Sequence, residues 1–149
     1  MKQGLEQLKV VKGRLHRRTG ISDSCLIDDS YNANPASMAA AINVLAEAKG
    51  KKILVIGDMG ELGGDITATH ATVGEQAKEQ SIDALYCLGN FSKAACERFG
   101  DVTKAYQDLA PLMVALQKEI DANTTVLVKG SRSAKMERVV KKLLKQTRR

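Results

Sequence analysis

A mostly parallel, doubly wound α/β sheet is the fold this sequence predicts, and three observations predict it. Lys52-Ile53-Leu54-Val55-Ile56-Gly57, Ala84-Leu85-Tyr86-Cys87-Leu88-Gly89 and Thr124-Thr125-Val126-Leu127-Val128-Lys129 are short apolar runs, suited to strands covered on both faces. Stretches with apolar residues at helical spacing separate them, and such alternation demands right-handed crossovers. Each run ends in a loop unlike a generic turn, at the edge where open α/β sheets bind ligands.

The elements follow in chain order. Residues 1–12 read as a strap without an element of their own. Residues 13–18 read as a strand, turned at Thr19-Gly20-Ile21-Ser22-Asp23 into a second strand over 24–28. That short turn makes one edge of the sheet antiparallel. Met38, Ala41, Ile42 and Leu45 recur at helical spacing, so 35–48 reads as an amphipathic helix, stopped by Gly50. A helix over 67–80 follows the run at 52–57. A short helix over 92–98, a weak strand over 102–106 and a helix over 109–120 follow the run at 84–89. The strand over 124–129 leads into a final helix over 133–144.

At 149 residues the chain is one domain with a real core. Two Phe, three Tyr and no Trp make that core aliphatic. No apolar run approaches the roughly 20 residues of a membrane span, and the first residues lack the apolar centre of a signal peptide. A cytoplasmic location is therefore expected. Cys25, Cys87 and Cys96 lack CxxC spacing and read as buried or incidental thiols of a reducing compartment, with no disulfide or metal role expected. The net charge of +6 is concentrated at the end, with nine Lys or Arg and one acid between 129 and 149. Lys141-Lys142 and Lys145 alternate there with Val139-Val140 and Leu143-Leu144, which is the polar side of an amphipathic helix. With few aromatics and no reading module, nucleic acid is not an expected partner.

Four loops carry the candidate chemistry. Asp28-Asp29-Ser30-Tyr31-Asn32-Ala33-Asn34-Pro35 follows the second strand, and two adjacent carboxylates followed by two asparagines make a poor core. The loop reads either as a ligand-gripping segment or as a capped turn, with Asn34 as N-cap and Pro35 at the first helical position. Gly57-Asp58-Met59-Gly60-Glu61-Leu62-Gly63-Gly64 fits neither a GxGxxG fingerprint nor a GxxxxGK[ST] loop. Asp58 and Glu61 there suit a cation or ammonium group, or a cap on the next helix. Gly89-Asn90 forms the third loop. Lys129-Gly130-Ser131-Arg132-Ser133 is expected to open the last helix, where backbone N–H groups favour an anion and Arg132 adds a fork for a carboxylate. His70, inside a helix, reads first as a satisfied structural histidine.

Gly13-Arg14-Leu15, the loop from Asp28 to Pro35, Gly57-Asp58-Met59-Gly60-Glu61-Leu62-Gly63 with His70 and Gly74, and Lys129-Gly130-Ser131-Arg132-Ser133 occur in that order. Together they resemble the C-terminal domain of the Mur ligase family, in the branch that adds D-alanyl-D-alanine to UDP-N-acetylmuramoyl-tripeptide. The resemblance implies a Rossmann-like domain over 13–149, with 1–12 as the remnant of an interdomain linker. It implies an ATP-dependent ligase in which the tripeptide's carboxylate becomes an acyl phosphate and the incoming amine attacks it. Asp29 is then expected on the ATP ribose and Arg14 on its phosphates, with Tyr31, Asn32 and Asn34 along the adenine and amino-substrate side. Ser131 and Arg132 are expected to bind the dipeptide, Arg132 through its carboxylate, and Asp58 and Glu61 to complete the rim. The family's P-loop, magnesium carboxylates and modified lysine have no counterpart here. The resemblance thus implies that ATP and Mg2+ are held mainly by a central domain, that no catalytic residue lies in this stretch, and that the isolated chain is inactive.

Two readings compete with it. One is a stand-alone α/β small-molecule binding or regulatory module without chemistry. The other is a basic nucleic-acid binder that uses the last helix.

Overall fold

The computed structural model describes residues 15–31, 33–59 and 65–145. The expected linker over 1–12 and the candidate residues Arg14, Asn32 and Glu61 lie outside the described residues. The strands are β1 (His16–Thr19), β2 (Cys25–Asp29), β3 (Lys51–Gly57), β4 (Ala84–Leu88), β5 (Ala105–Tyr106) and β6 (Thr124–Lys129). The helices are α1 (Pro35–Ala46), α2 (Ile66–Glu79), α3 (Lys93–Phe99), α4 (Leu109–Glu119) and α5 (Glu137–Leu143). The strands form one sheet in the order β1-β2-β6-β3-β4-β5. Among the strands of the described residues the β1–β2 pair is antiparallel, the edge hairpin that the short turn requires, and the others are parallel.

Side-chain alternation along the central strands sorts the core into two layers. Ile27, Leu54, Ile56, Leu85, Cys87 and Leu127 face one way, against Met38, Ile42 and Leu45 of α1, Val73 and Ala77 of α2, and Ala95 and Cys96 of α3. Leu26, Ile53, Val55, Tyr86, Val126 and Val128 face the other way, against Leu112 and Leu116 of α4 and Val139, Val140 and Leu143 of α5. Each fully buried aliphatic side chain contributes about 1.5–3 kcal/mol over leaving it exposed. Three helices therefore cover one face and two the other. The chain runs outward from β2 through β3 to β5 on the first face and returns to β6 across the second, keeping every crossover right-handed.

Two expected elements differ. The weak strand over 102–106 is a 3₁₀ turn at Val102–Lys104 followed by the two residues of β5. The final helix does not start at Ser133. Arg132–Ala134 form a 3₁₀ turn, Lys135 takes a left-handed conformation (φ 56°), and α5 begins at Glu137. Met136 explains the detour. It is fully buried against Gly57 and Gly130, where an added Cβ would come within 2.6 and 2.5 Å of its side chain. The chain must turn sharply after β6 to drive this side chain over two glycines before a helix can begin.

The α2–α3 contact rests on a third glycine. A Cβ at Gly74 would lie 2.0 Å from the Ala95 carbonyl oxygen, so the two backbones touch where only hydrogen fits. On the opposite face the Tyr86 hydroxyl donates to Glu119, whose other oxygen is 3.1 Å from the Lys51 ammonium. Burial, and then Glu119 beside it, raise the Tyr86 hydroxyl far above its ordinary value, so it remains a donor. Burial also works to raise Glu119, but Tyr86 and Lys51 outweigh it and hold that carboxyl below its ordinary value.

Gly74→Ala is expected to lower stability by about 1–3 kcal/mol through overpacking, read as a fall in the urea midpoint at unchanged slope. An unshifted midpoint would show that the two helices have room. A carboxyl held low in the folded chain contributes stability above its unfolded value and loses it as pH falls through the folded one. Melting temperature should therefore drop more steeply below the ordinary glutamate range in wild type than in Glu119→Gln, and parallel profiles would refute the linkage.

Candidate functional site

Because β2, β6, β3 and β4 run parallel, the loops at their carboxyl ends emerge on one edge. Register aligns them: Asp29 pairs with Lys129, Lys129 with Ile56, and Gly57 with Leu88. The loops after β2 and β3 lead to helices on the first face, whereas the loop after β6 between them leads to the second. That reversal marks the edge where doubly wound sheets take ligands.

At the centre of this edge lies a buried ion pair. Lys129 Nζ donates to Asp29 Oδ2 at 2.8 Å, with side-chain exposures of 3% and 8%. Asp29 Oδ1 accepts the Leu15 N–H at 3.1 Å, tying the edge hairpin to the rim. Burial pushes the Asp29 carboxyl above its ordinary value, against the hydrogen bond and charge of Lys129 and the Leu15 N–H, which pull it down. Neighbouring Asp28 serves the loop itself, accepting the Ser30 N–H and hydroxyl at 3.1 and 2.6 Å. Asn34 closes a capping box, its Oδ1 taking the Ser37 N–H at 2.8 Å while its own N–H donates to Ser37 Oγ at 3.0 Å. The capped-turn reading of this loop holds at Asn34, while Asp28, Asp29 and Ser30 are buried at the end of β2.

Asp58 connects three loops. Its carboxylate accepts the N–H groups of Asn90, Phe91 and Ser92 at 3.1, 3.0 and 2.8 Å. Its backbone carbonyl accepts the Ser131 N–H at 3.2 Å. Gly89 makes room for this carboxylate, since a Cβ there would lie 2.5 Å from it. The cap on α2 is Asp65, which accepts the Ala68 N–H at 3.0 Å. His70 is the structural histidine expected: fully buried, its Nε2 accepts the Met59 N–H at 2.9 Å and its Nδ1 lies 2.8 Å from the Ile66 carbonyl.

Ser131 is buried with its hydroxyl 3.0 Å from that of Ser133. Arg132 is exposed, and its guanidinium sits over the Tyr31 ring at 5.2 Å from the centroid. The anion site expected at the start of the last helix is corrected here, because the loop turns back before α5 and offers no helix N-terminus at Ser133. The structure thus brings Asp29, Tyr31, Asp58, Ser131 and Arg132 to one rim. Lys129 is the rim residue to which sequence reasoning gave no role of its own. Its signal was a charge ending an otherwise apolar central strand.

Comparison with known proteins gives this rim a context. Residues 13–132 match the family described as Mur ligase, glutamate ligase domain. The chain is 46% identical to the UDP-N-acetylmuramoyl-tripeptide--D-alanyl-D-alanine ligase of Escherichia coli (strain K12), across 96% of this chain and 32% of that protein. A crystal structure of MurF from Acinetobacter baumannii superposes with a TM-score of 0.80 at 38% identity, covering 93% of this chain and 31% of that one. MurF ligase from Thermotoga maritima, crystallised in complex with ADP, superposes with a TM-score of 0.77 at 27% identity, covering 90% and 31%. The chain spans about a third of the length of the relatives it matches.

Lys129→Ala is expected to cost about 3–5 kcal/mol, because it leaves a buried carboxylate without its counterion. The paired change Asp29→Leu with Lys129→Met should recover most of that loss. Denaturant titration of the single and double variants measures both, and a double variant no better than the single would show that the charges are not coupled.

Proposed function

The chain belongs to the Mur ligase family, and on that premise we propose that it is the C-terminal, closing domain of an ATP-dependent ligase that adds D-alanyl-D-alanine to UDP-N-acetylmuramoyl-tripeptide. In this reading residues 13–149 are the domain, 1–12 the remnant of a linker, and the cytoplasm its place of action. The convergence of Asp29, Tyr31 and Arg132 on one rim carries the proposal.

The residues suit the roles. Asp29 is held in place by Lys129 and Leu15, and a carboxylate retains acceptor capacity beyond those two bonds, which a ribose diol can use. Tyr31, half-buried beneath Arg132, offers a flat apolar surface beside a cation. The exposed Arg132 fork matches the carboxylate of the dipeptide. Ser131 borders it, while Asp58 holds the loops that frame both. Bound ATP supplies the activation of the tripeptide carboxylate. The reading leaves Mg2+ mainly to the central domain that the family resemblance implies. What this domain contributes is closure: it sets the amine against the activated carboxylate and excludes water, an effect of about 7–11 kcal/mol in ideal cases.

Steady-state kinetics of the ligase that carries this domain test the assignment. Arg132→Ala should raise KM for D-alanyl-D-alanine about tenfold while leaving KM for ATP near wild type. Asp29→Asn should do the reverse. An Arg132→Ala enzyme with unchanged dipeptide kinetics would remove the carboxylate role, and a wild-type enzyme without ligation would remove the function itself.

A further inference from the structure

Beneath the rim, on the first face of the sheet, two thiols meet. Cys87 lies on β4 and Cys96 on α3, and the Cys96 thiol donates to the Cys87 sulfur at 2.6 Å. Both residues are fully buried, and Cys96 also reaches the Leu85 carbonyl at 3.4 Å. Cys25, the third cysteine, is half-exposed on β2, two strands away from β4 in chain order and separated from it in the sheet by β6 and β3. The pair is thus already in contact, with the third thiol on a strand that does not neighbour β4. It needs only a modest approach to reach the S–S bond length of about 2.05 Å.

We propose that Cys87 and Cys96 form an oxidation-sensitive dithiol that hydroperoxides convert to an intramolecular disulfide. In the closed fold the pair is quiet, since burial raises the Cys87 thiol well above its ordinary value. Access comes through α3. The helix has seven residues, too few to persist without tertiary support. Local opening of α3 exposes Cys96 first, because it travels with the helix while Cys87 stays in the sheet.

The chemistry balances in two steps. The Cys96 thiolate attacks the terminal peroxide oxygen, the O–O bond breaks, and the leaving alkoxide or hydroxide takes a proton, which leaves a sulfenic acid on Cys96. On reclosure the Cys87 sulfur attacks that sulfur and water departs with the Cys87 proton. Two thiols lose two electrons and two protons, and one hydroperoxide becomes an alcohol, or water, plus a second water. The new bond spans the loop after β4 whose N–H groups Asp58 holds, so oxidation ties both ends of one rim segment together.

The test uses the folded chain and hydrogen peroxide as the probe. Intact mass should fall by two hydrogen atoms, and proteolytic mapping without reductant should join the peptides bearing Cys87 and Cys96. Dithiothreitol should restore the original mass. Cys25→Ser, which leaves the pair intact, should behave like wild type. Cys96→Ala should lose the intramolecular link, and mapping of the wild type decides the matter even if that variant folds poorly. The proposal fails if the recovered links involve Cys25, if only intermolecular dimers form, or if the Cys87–Cys96 link appears only in denaturant.

Discussion

The Asp29–Lys129 ion pair is the contact on which the arrangement of the rim depends. β6 lies between β2 and β3 and ends in a lysine whose side chain is almost wholly buried. A buried ammonium is costly without a partner, so the register of β2 against β6 has to put a carboxylate opposite it. Asp29 takes that place, and its second oxygen holds Leu15 at the entry to the edge hairpin. One carboxylate thereby sets the position of β1, the end of β2 and the start of the loop that carries Tyr31. Burial raises its carboxyl even so, which marks a charge kept in place at some cost to the fold. Costs of that kind concentrate where a group has a task besides packing.

Asp58 complements this pair from the other side of β6. Three backbone N–H groups at the start of α3 converge on its carboxylate, and its own carbonyl receives Ser131. The glycines around it are spacers in a literal sense. Gly57 and Gly130 admit Met136 between the strand ends, and Gly89 admits the Asp58 carboxylate. Met136 then dictates where α5 can begin and leaves Arg132 in an exposed turn over Tyr31. The rim is consequently a set of cross-braced loops.

Much of this was legible in the residues. The three runs read as strands buried on both faces, because each carries several consecutive apolar side chains with no polar stripe for solvent. Their alternation with Met38-Ala41-Ile42-Leu45 and the other helical stripes then imposed parallel pairing. His70 was recognisable as structural because an apolar helical face surrounds it. The start of α5 was not legible, since Ser133 looks like a helix cap to any rule confined to neighbouring residues. The insertion of Met136 over Gly57 joins positions far apart in the chain. Nor was the role of Asp58, whose partners lie in the loop after the next strand.

Local chemistry, then, was enough for the layers, the strand polarity and the edge on which the loops meet, because periodicity and turn residues act over a few positions. Which carboxylate holds which loop was settled elsewhere. Asp29 facing Lys129, Asp58 gripping the approach to α3 and Arg132 lying over Tyr31 all arise from strand order and register. Those are properties of segments brought side by side by a common core, and hydrogen bonds between such segments have no trace in the spacing of either one.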